Sequence, residues 1–110
     1  MKLPANAIIP REKVTNYLLV PQARGDKSRY LERAGYTPDD DETLLADLRR
    51  QLLCDAVPMK SNKFGQYYEI RGSLNGPNGI LLPVRTIWMT EHLSGITKFV
   101  TLVPDKQRRP

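Results

Sequence analysis

The chain is poor in the side chains that build disulfide, redox and metal chemistry. Cys54 and His92 each occur once among 110 residues. An intrachain disulfide framework is therefore excluded, and so is a cysteine-rich or multi-histidine metal site. Aromatic residues make up 7%, and no apolar run approaches the ~20 residues of a bilayer-spanning helix. Residues 1–13, MKLPANAIIPREK, lack the long apolar stretch of a secretory signal, so a soluble cytoplasmic protein is the expectation. No internal repeat or low-complexity segment is present. With 40% apolar and 26% charged residues, the composition is that of one ordinary globular domain. The domain is expected over residues 1–104, with a flexible tail over 105–110.

Acidic residues are the minority, 12 against 17 Lys and Arg, and they are clustered. Residues 1–37 hold seven basic and three acidic side chains, and residues 59–110 hold eight and three. Between them, residues 38–58 hold two basic and six acidic. If the two basic segments meet in space, the surface suits a polyanion. The acidic block has a structural explanation of its own. Thr37 caps a helix, Pro38 takes its first turn, and Asp39, Asp40 and Asp41 sit at the positive end of its dipole. Leu44, Leu45, Leu48 and Leu52 then fall on one face.

Two further helices are predicted upstream. One starts at Pro10, with Val14, Tyr17 and Leu18 at helical spacing, and ends before Pro21. The other runs from a capping Asp26 to Ala34 and stops at Gly35. After Cys54 the period changes from 3.6 to 2. Residues 56–60 read as an edge strand, because Pro58 is tolerated only there. Strands follow at 66–74, 82–89 and 97–103, the first two joined by the hairpin signal Asn75-Gly76-Pro77-Asn78-Gly79. The expected class is α+β, with three N-terminal helices on one face of a three- to four-stranded antiparallel sheet. Alternation places Tyr68, Ile70, Leu74, Ile87, Met89, Val100 and Leu102 under the helices. Tyr67, Glu69, Arg71, Ser73, Val84, Thr86, Trp88, Phe99, Thr101 and Val103 are then left on the open face. A one-residue register change would exchange the faces and bring Arg85 to the open side.

Several stretches together resemble a bacterial family of short basic proteins and polymorphic-toxin C-terminal modules. These are Met1-Lys2-Leu3-Pro4 with Asn6, Tyr17-Leu18-Leu19, Lys27 and Ala34-Gly35-Tyr36. The resemblance continues through Gly65-Gln66, Tyr68-Glu69, Arg71-Gly72-Ser73-Leu74, Gly76-Pro77-Asn78-Gly79, Val84-Arg85-Thr86-Ile87-Trp88 and Val100-Thr101. It spans the chain to about Pro104. Such domains look like barnase-like ribonuclease toxins, acting within toxin–antitoxin or polymorphic toxin systems. The resemblance implies RNA (tRNA or mRNA) as target and a small acidic antitoxin or immunity protein as partner; with no spanning segment, no membrane partner is expected. Asp26 departs from the pattern, which has a histidine there.

Metal-independent RNA cleavage needs a base at the 2′-hydroxyl, cations around the phosphate and an acid for the leaving oxygen. Lys27 at a helix start and Arg71 on a strand are the phosphate candidates, and Glu69 is the candidate base. Thr86 and Thr101 are candidate hydrogen-bond donors to phosphate. His92 is a reserve acid and Arg85 a reserve cation. Arg24, Tyr67, Trp88 and Lys98 are candidate RNA-binding residues, Tyr67 and Trp88 as stacking platforms. No cofactor or metal is expected. Plainer uses exist for several of these: threonine favours strands, and tryptophan packs in cores. The alternative function is a non-catalytic module that binds nucleic acid or protein, including a toxin domain that has lost activity at Asp26.

Overall fold

A computed structural model describes residues 1–24 and 26–105. Its four strands form one antiparallel sheet in chain order: β1 (Ala56–Ser61), β2 (Gly65–Asn75), β3 (Leu81–Glu91) and β4 (Thr97–Pro104). A few short helices precede the sheet, giving an α+β fold. They are α1 (Arg11–Lys13), α2 (Ser28–Glu32) and α3 (Asp41–Arg50).

The helical layer is less regular than the sequence suggests. After α1 the chain widens into a π-helical turn, Val14–Leu18, closed by the Leu19 amide on Val14 O at 3.1 Å. The wider turn buries Val14, Leu18 and Leu19 together, which a regular helix running toward Pro21 does less well. α2 is shorter than the expected 26–34. It begins where Asp26 Oδ1 accepts from Ser28 N (2.9 Å) and Ser28 Oγ (2.7 Å), and it is unwound by Gly35 at φ +91°. The acidic block does start a helix. Asp40 Oδ2 accepts from Thr37 N (2.8 Å), Thr37 Oγ1 accepts from Asp39 N, and α3 follows within a capping box. Beneath it, the Tyr36 hydroxyl donates to Asp47 Oδ2 at 2.6 Å. Burial and the Asp47 carboxylate push that phenol far above its ordinary pKa.

All the predicted strands form, but one lies with its faces exchanged. β2 and β3 pair even with even: Tyr68 with Trp88, Ile70 with Thr86, Gly72 with Val84, Leu74 with Leu82. The hairpin loop is residues 76–80, so Asn75 opposes Leu81. The covered face is therefore Tyr68, Ile70 and Leu74 together with Val84, Thr86 and Trp88, while Arg85, Ile87 and Met89 lie on the open side. In β4 a bulge at Val100 sets Thr101 opposite Ile87 and Phe99 opposite Trp88. The extra residue lets both Phe99 and Leu102 turn inward. The expected placements of Tyr67, Glu69, Arg71, Ser73, Thr101 and Val103 on the open face hold. Val84, Thr86, Trp88 and Phe99 are instead buried.

One core joins both layers. Val14, Leu18, Leu31, Leu44 and Leu48 meet Ile70, Leu74, Val84, Trp88, Phe99 and Leu102. The Trp88 and Phe99 rings pack edge to face at 5.3 Å. At one end of the sheet the 76–80 loop hooks onto α2. Asn78 N donates to Ala34 O and Asn78 Nδ2 to Arg33 O, while Gly76 lies flush against Ala34. The N-terminal segment bridges β4 through Ile8 N to Thr97 O and Phe99 N to Ile8 O, both 2.8 Å. Asp105 is buried, and its amide donates to Pro83 O. The rest of the expected tail, 106–110, lies outside the described residues.

Candidate nucleic-acid interface

The open face is organised in rows that run across the strands. Glu69, Ile87 and Thr101 form one row, Arg71, Arg85 and Val103 the next, and Tyr67, Met89 and Lys98 the row on the other side. Glu69 lies between two guanidiniums. Arg85 Nη1 donates to its Oε2 at 3.0 Å, and Arg71 Nε lies 3.5 Å from its Oε1. The Glu69 side chain is 16% exposed, against 46% for Arg71 and 33% for Arg85. The carboxylate is thus mostly covered while both cations still face solvent. Among the described residues, two guanidiniums thus flank one carboxylate on this face.

At the β4 edge, an open cleft of about 600 Å³ is lined by Glu12, Lys13, Tyr17, Lys27, Val100 and Thr101. The bulge builds one wall. It frees the Val100 carbonyl, which accepts from Lys13 Nζ at 2.8 Å and so holds that ammonium at the cleft. Lys27, one residue before α2, supplies the second ammonium. Strand spacing of roughly 4.8 Å puts Thr101 about 10 Å from Glu69 along their shared row. Thr101 thus joins the cleft to the row of Glu69, while Lys13 and Lys27 reach this sheet edge from the helical layer.

The individual candidates fare differently. Glu69, Arg71, Thr101 and the reserve residue Arg85 lie on the open face, and Lys27 lines the cleft at its β4 edge. Tyr67 lies on the open face too, with Lys60 Nζ 5.8 Å from its ring. Lys98 is on the face but is paired with Glu91 at 2.9 Å, and that contact together with the Ser94 hydroxyl lowers the Glu91 carboxyl pKa. Thr86 and Trp88 cannot touch RNA. Both are fully buried, and Trp88 Nε1 donates to Thr86 Oγ1 at 2.8 Å. His92 sits at a hairpin tip, with Nε2 2.9 Å from Asn62 O. That is five residues along β3 from the Glu69 row, roughly 17 Å away, so it is not the acid for this site. Arg24 is exposed on the loop before α2 and is not among the cleft residues. The expected phosphate contact from the α2 amides also fails. α2 has five residues, and its first amide is already taken by Asp26, whose carboxyl pKa is lowered by the Ser28 hydroxyl and amide.

Glu12, Lys13 and Tyr17 were missed by sequence reasoning. Their signal was present, since Lys13 and Tyr17 are spaced i, i+4 and flank the buried Val14. Among the described residues no cluster of His, Cys, Asp and Glu is arranged to hold a metal, and no helix is long and apolar enough to cross a membrane.

The chain belongs to the DUF6883 family, described as a domain of unknown function, which it matches over residues 2–106. No curated protein and no solved structure matches it significantly.

Proposed function

We propose that this DUF6883 domain is a bacterial toxin module of barnase-like layout that binds single-stranded RNA across its open sheet face and cleaves it without a metal. It would act in the cytoplasm on tRNA or mRNA and be restrained by a small acidic antitoxin or immunity protein. One observation carries the reading: the Glu69 carboxylate held between Arg71 and Arg85 on the uncovered face, in the same row as Thr101 and its lysine-lined cleft. In this scheme Arg71 and Arg85 hold the scissile phosphate. Glu69 takes the proton from the ribose 2′-hydroxyl as that oxygen attacks phosphorus, the bond from phosphorus to the 5′-oxygen breaks, and a solvent water protonates that oxygen, giving a 2′,3′-cyclic phosphate and a 5′-hydroxyl. Lys13 and Lys27 hold a neighbouring phosphate, and Tyr67 offers a face for an unstacked base. An acidic partner fits the same positive surface.

The test is cleavage of a fluorescent oligoribonucleotide with and without chelator. Wild-type protein should cut in both conditions. Glu69→Gln should slow cutting by roughly 10²-fold or more while RNA binding persists. Arg85→Ala should weaken both binding and cutting. Intact RNA under all conditions would remove the enzyme reading.

A second reading, a module that binds RNA without cutting it, is favoured by Asp26. That residue stands where the resembling family has histidine, and its carboxylate is committed to Ser28. Salt-sensitive binding with no cleavage would establish it.

A further inference from the structure

The site described above leaves one end of the sheet without a role. Two hairpin tips lie side by side there, residues 62–64 between β1 and β2 and residues 92–96 between β3 and β4. Phe64 is 63% exposed, Ile96 is 42% exposed, and Leu93 shows its entire side chain to solvent. Single exposed apolar residues are ordinary, but three at one end form a patch that needs a reason.

Hydrogen bonds hold these residues outward. Asn62 Oδ1 accepts from the amides of Phe64 (2.9 Å) and Gly65 (3.1 Å), closing the first tip. In the second, Ser94 Oγ donates to Glu91 Oε1 at 2.7 Å and accepts from Ile96 N at 3.1 Å, and Gly95 N donates to Glu91 O. The tips are also joined to each other, by His92 N donating to Phe64 O at 3.1 Å and by the His92 Nε2–Asn62 O contact. Neither Phe64 nor Leu93 can fold back without breaking these bonds. The surrounding charge is positive. Lys63 Nζ lies 5.2 Å from the Phe64 ring centre, and Lys60 is close by on β1. Glu91, the single acid within residues 59–66 and 89–98, is neutralised by Lys98.

We propose that this end is a membrane-surface anchor. Phe64 and Leu93 enter the boundary between headgroups and acyl chains of an anionic bilayer, and Lys60 and Lys63 meet the lipid phosphates. Phe64 and Leu93 flank an open cleft of about 210 Å³ that Lys63 and Glu91 also line, and the excess positive charge beside these apolar side chains complements an anionic lipid surface. The sequence-based expectation of no membrane partner rests on the lack of a spanning segment, which does not bear on a wedge of this kind. With so few groups inserted, binding is reversible and needs both the apolar and the charged contribution.

The test is co-sedimentation of the full chain with vesicles of phosphatidylcholine alone, or of phosphatidylcholine mixed with phosphatidylglycerol. Wild type should pellet only with the mixed vesicles. The double variant Phe64→Ser/Leu93→Ser should lose about tenfold or more in partitioning, with its thermal melt unchanged because both residues are exposed. Arg71→Ala/Arg85→Ala should partition as wild type does. The proposal is overturned if wild type fails to pellet, or if the serine pair pellets equally well, since binding would then reflect net charge alone. It is equally overturned if the serine pair instead dissociates a dimer seen in lipid-free sedimentation, which would make the tips a contact between copies of the chain.

Discussion

Thr86 shows how one residue can be right in type and wrong in place. A threonine and a tryptophan two apart in a strand beside an arginine suit an RNA-reading face, yet both point into the core. The strand was legible from its alternation. Which face it buries was not, because parity had to be carried through a five-residue loop whose conformation the sequence does not specify. Buried, the pair has a different use. The Trp88 indole N–H needs an acceptor in a dry site, and Thr86 Oγ1 provides one at 2.8 Å. Thr86→Val keeps the shape and removes that acceptor. Leaving the indole unsatisfied should cost about 1–3 kcal/mol, lowering Tm by roughly 4–8 °C or more. RNA binding should stay at the wild-type level. A calorimetric scan beside a binding titration separates the two effects, and loss of RNA binding in a stably folded Thr86→Val protein would contradict the burial assigned here.

At the level of elements, the strands were legible and the helices only partly so. β2 and β3 carry long alternating runs joined by a strong turn signal, so local sequence is enough. α1 and α2 are too short to stand on propensity, and tertiary contacts set their limits: the core pulling in Leu18 and Leu19, and Asp26 capping Ser28. The 76–80 loop is the contact that ties α2 to the sheet. A Cβ on Gly76 would fall 2.0 Å from Ala34 O, whereas one on Gly79 would meet nothing within 4 Å. Gly76→Ala must therefore push α2 off the sheet, at about 1–3 kcal/mol beyond the cost of Gly79→Ala, whose φ of +86° alone is worth about 1–2 kcal/mol. Urea titration of the two variants compares them directly. Equal losses would mean that the loop does not dock on α2 as described. The outer edge of β1 is blunted by related means. Ala56 N donates to Met1 O, and Pro58, facing the same way, has no N–H to offer.

Of the formal charge of +5, Lys106, Arg108 and Arg109 lie outside the described residues, so for the molecule as described the decisive quantity is how the remaining basic and acidic side chains are placed. Arg11 is engaged with Asp41 (2.8 Å) and Glu42 (3.6 Å), so the front of the helical layer is close to neutral. Lys98 is neutralised by Glu91. Among the described residues, Arg71 and Arg85 flank the Glu69 carboxylate on the open face, and Lys13 and Lys27 line the cleft at its β4 edge. That difference was hidden in the sequence, where Arg11 and Lys13 read alike and only folding shows which of them is already paired with acid. It has a measurable consequence. Single-stranded RNA bound to the open face should release counterions from the phosphates that these groups meet, so log K falls linearly with log salt at about −0.7 per phosphate contact. Arg71→Ala/Arg85→Ala should make the slope shallower by about 1.4, and Lys13→Ala/Lys27→Ala by a similar amount if the cleft holds a second phosphate. Arg11→Ala, which removes one formal charge from the helical side where each double variant removes two, should leave the slope where it was. Fluorescence anisotropy across a salt series gives all three slopes. If Arg11→Ala makes the slope shallower by half as much as the double variants do, RNA is responding to net charge rather than to this surface, and the assignment of the interface fails with it.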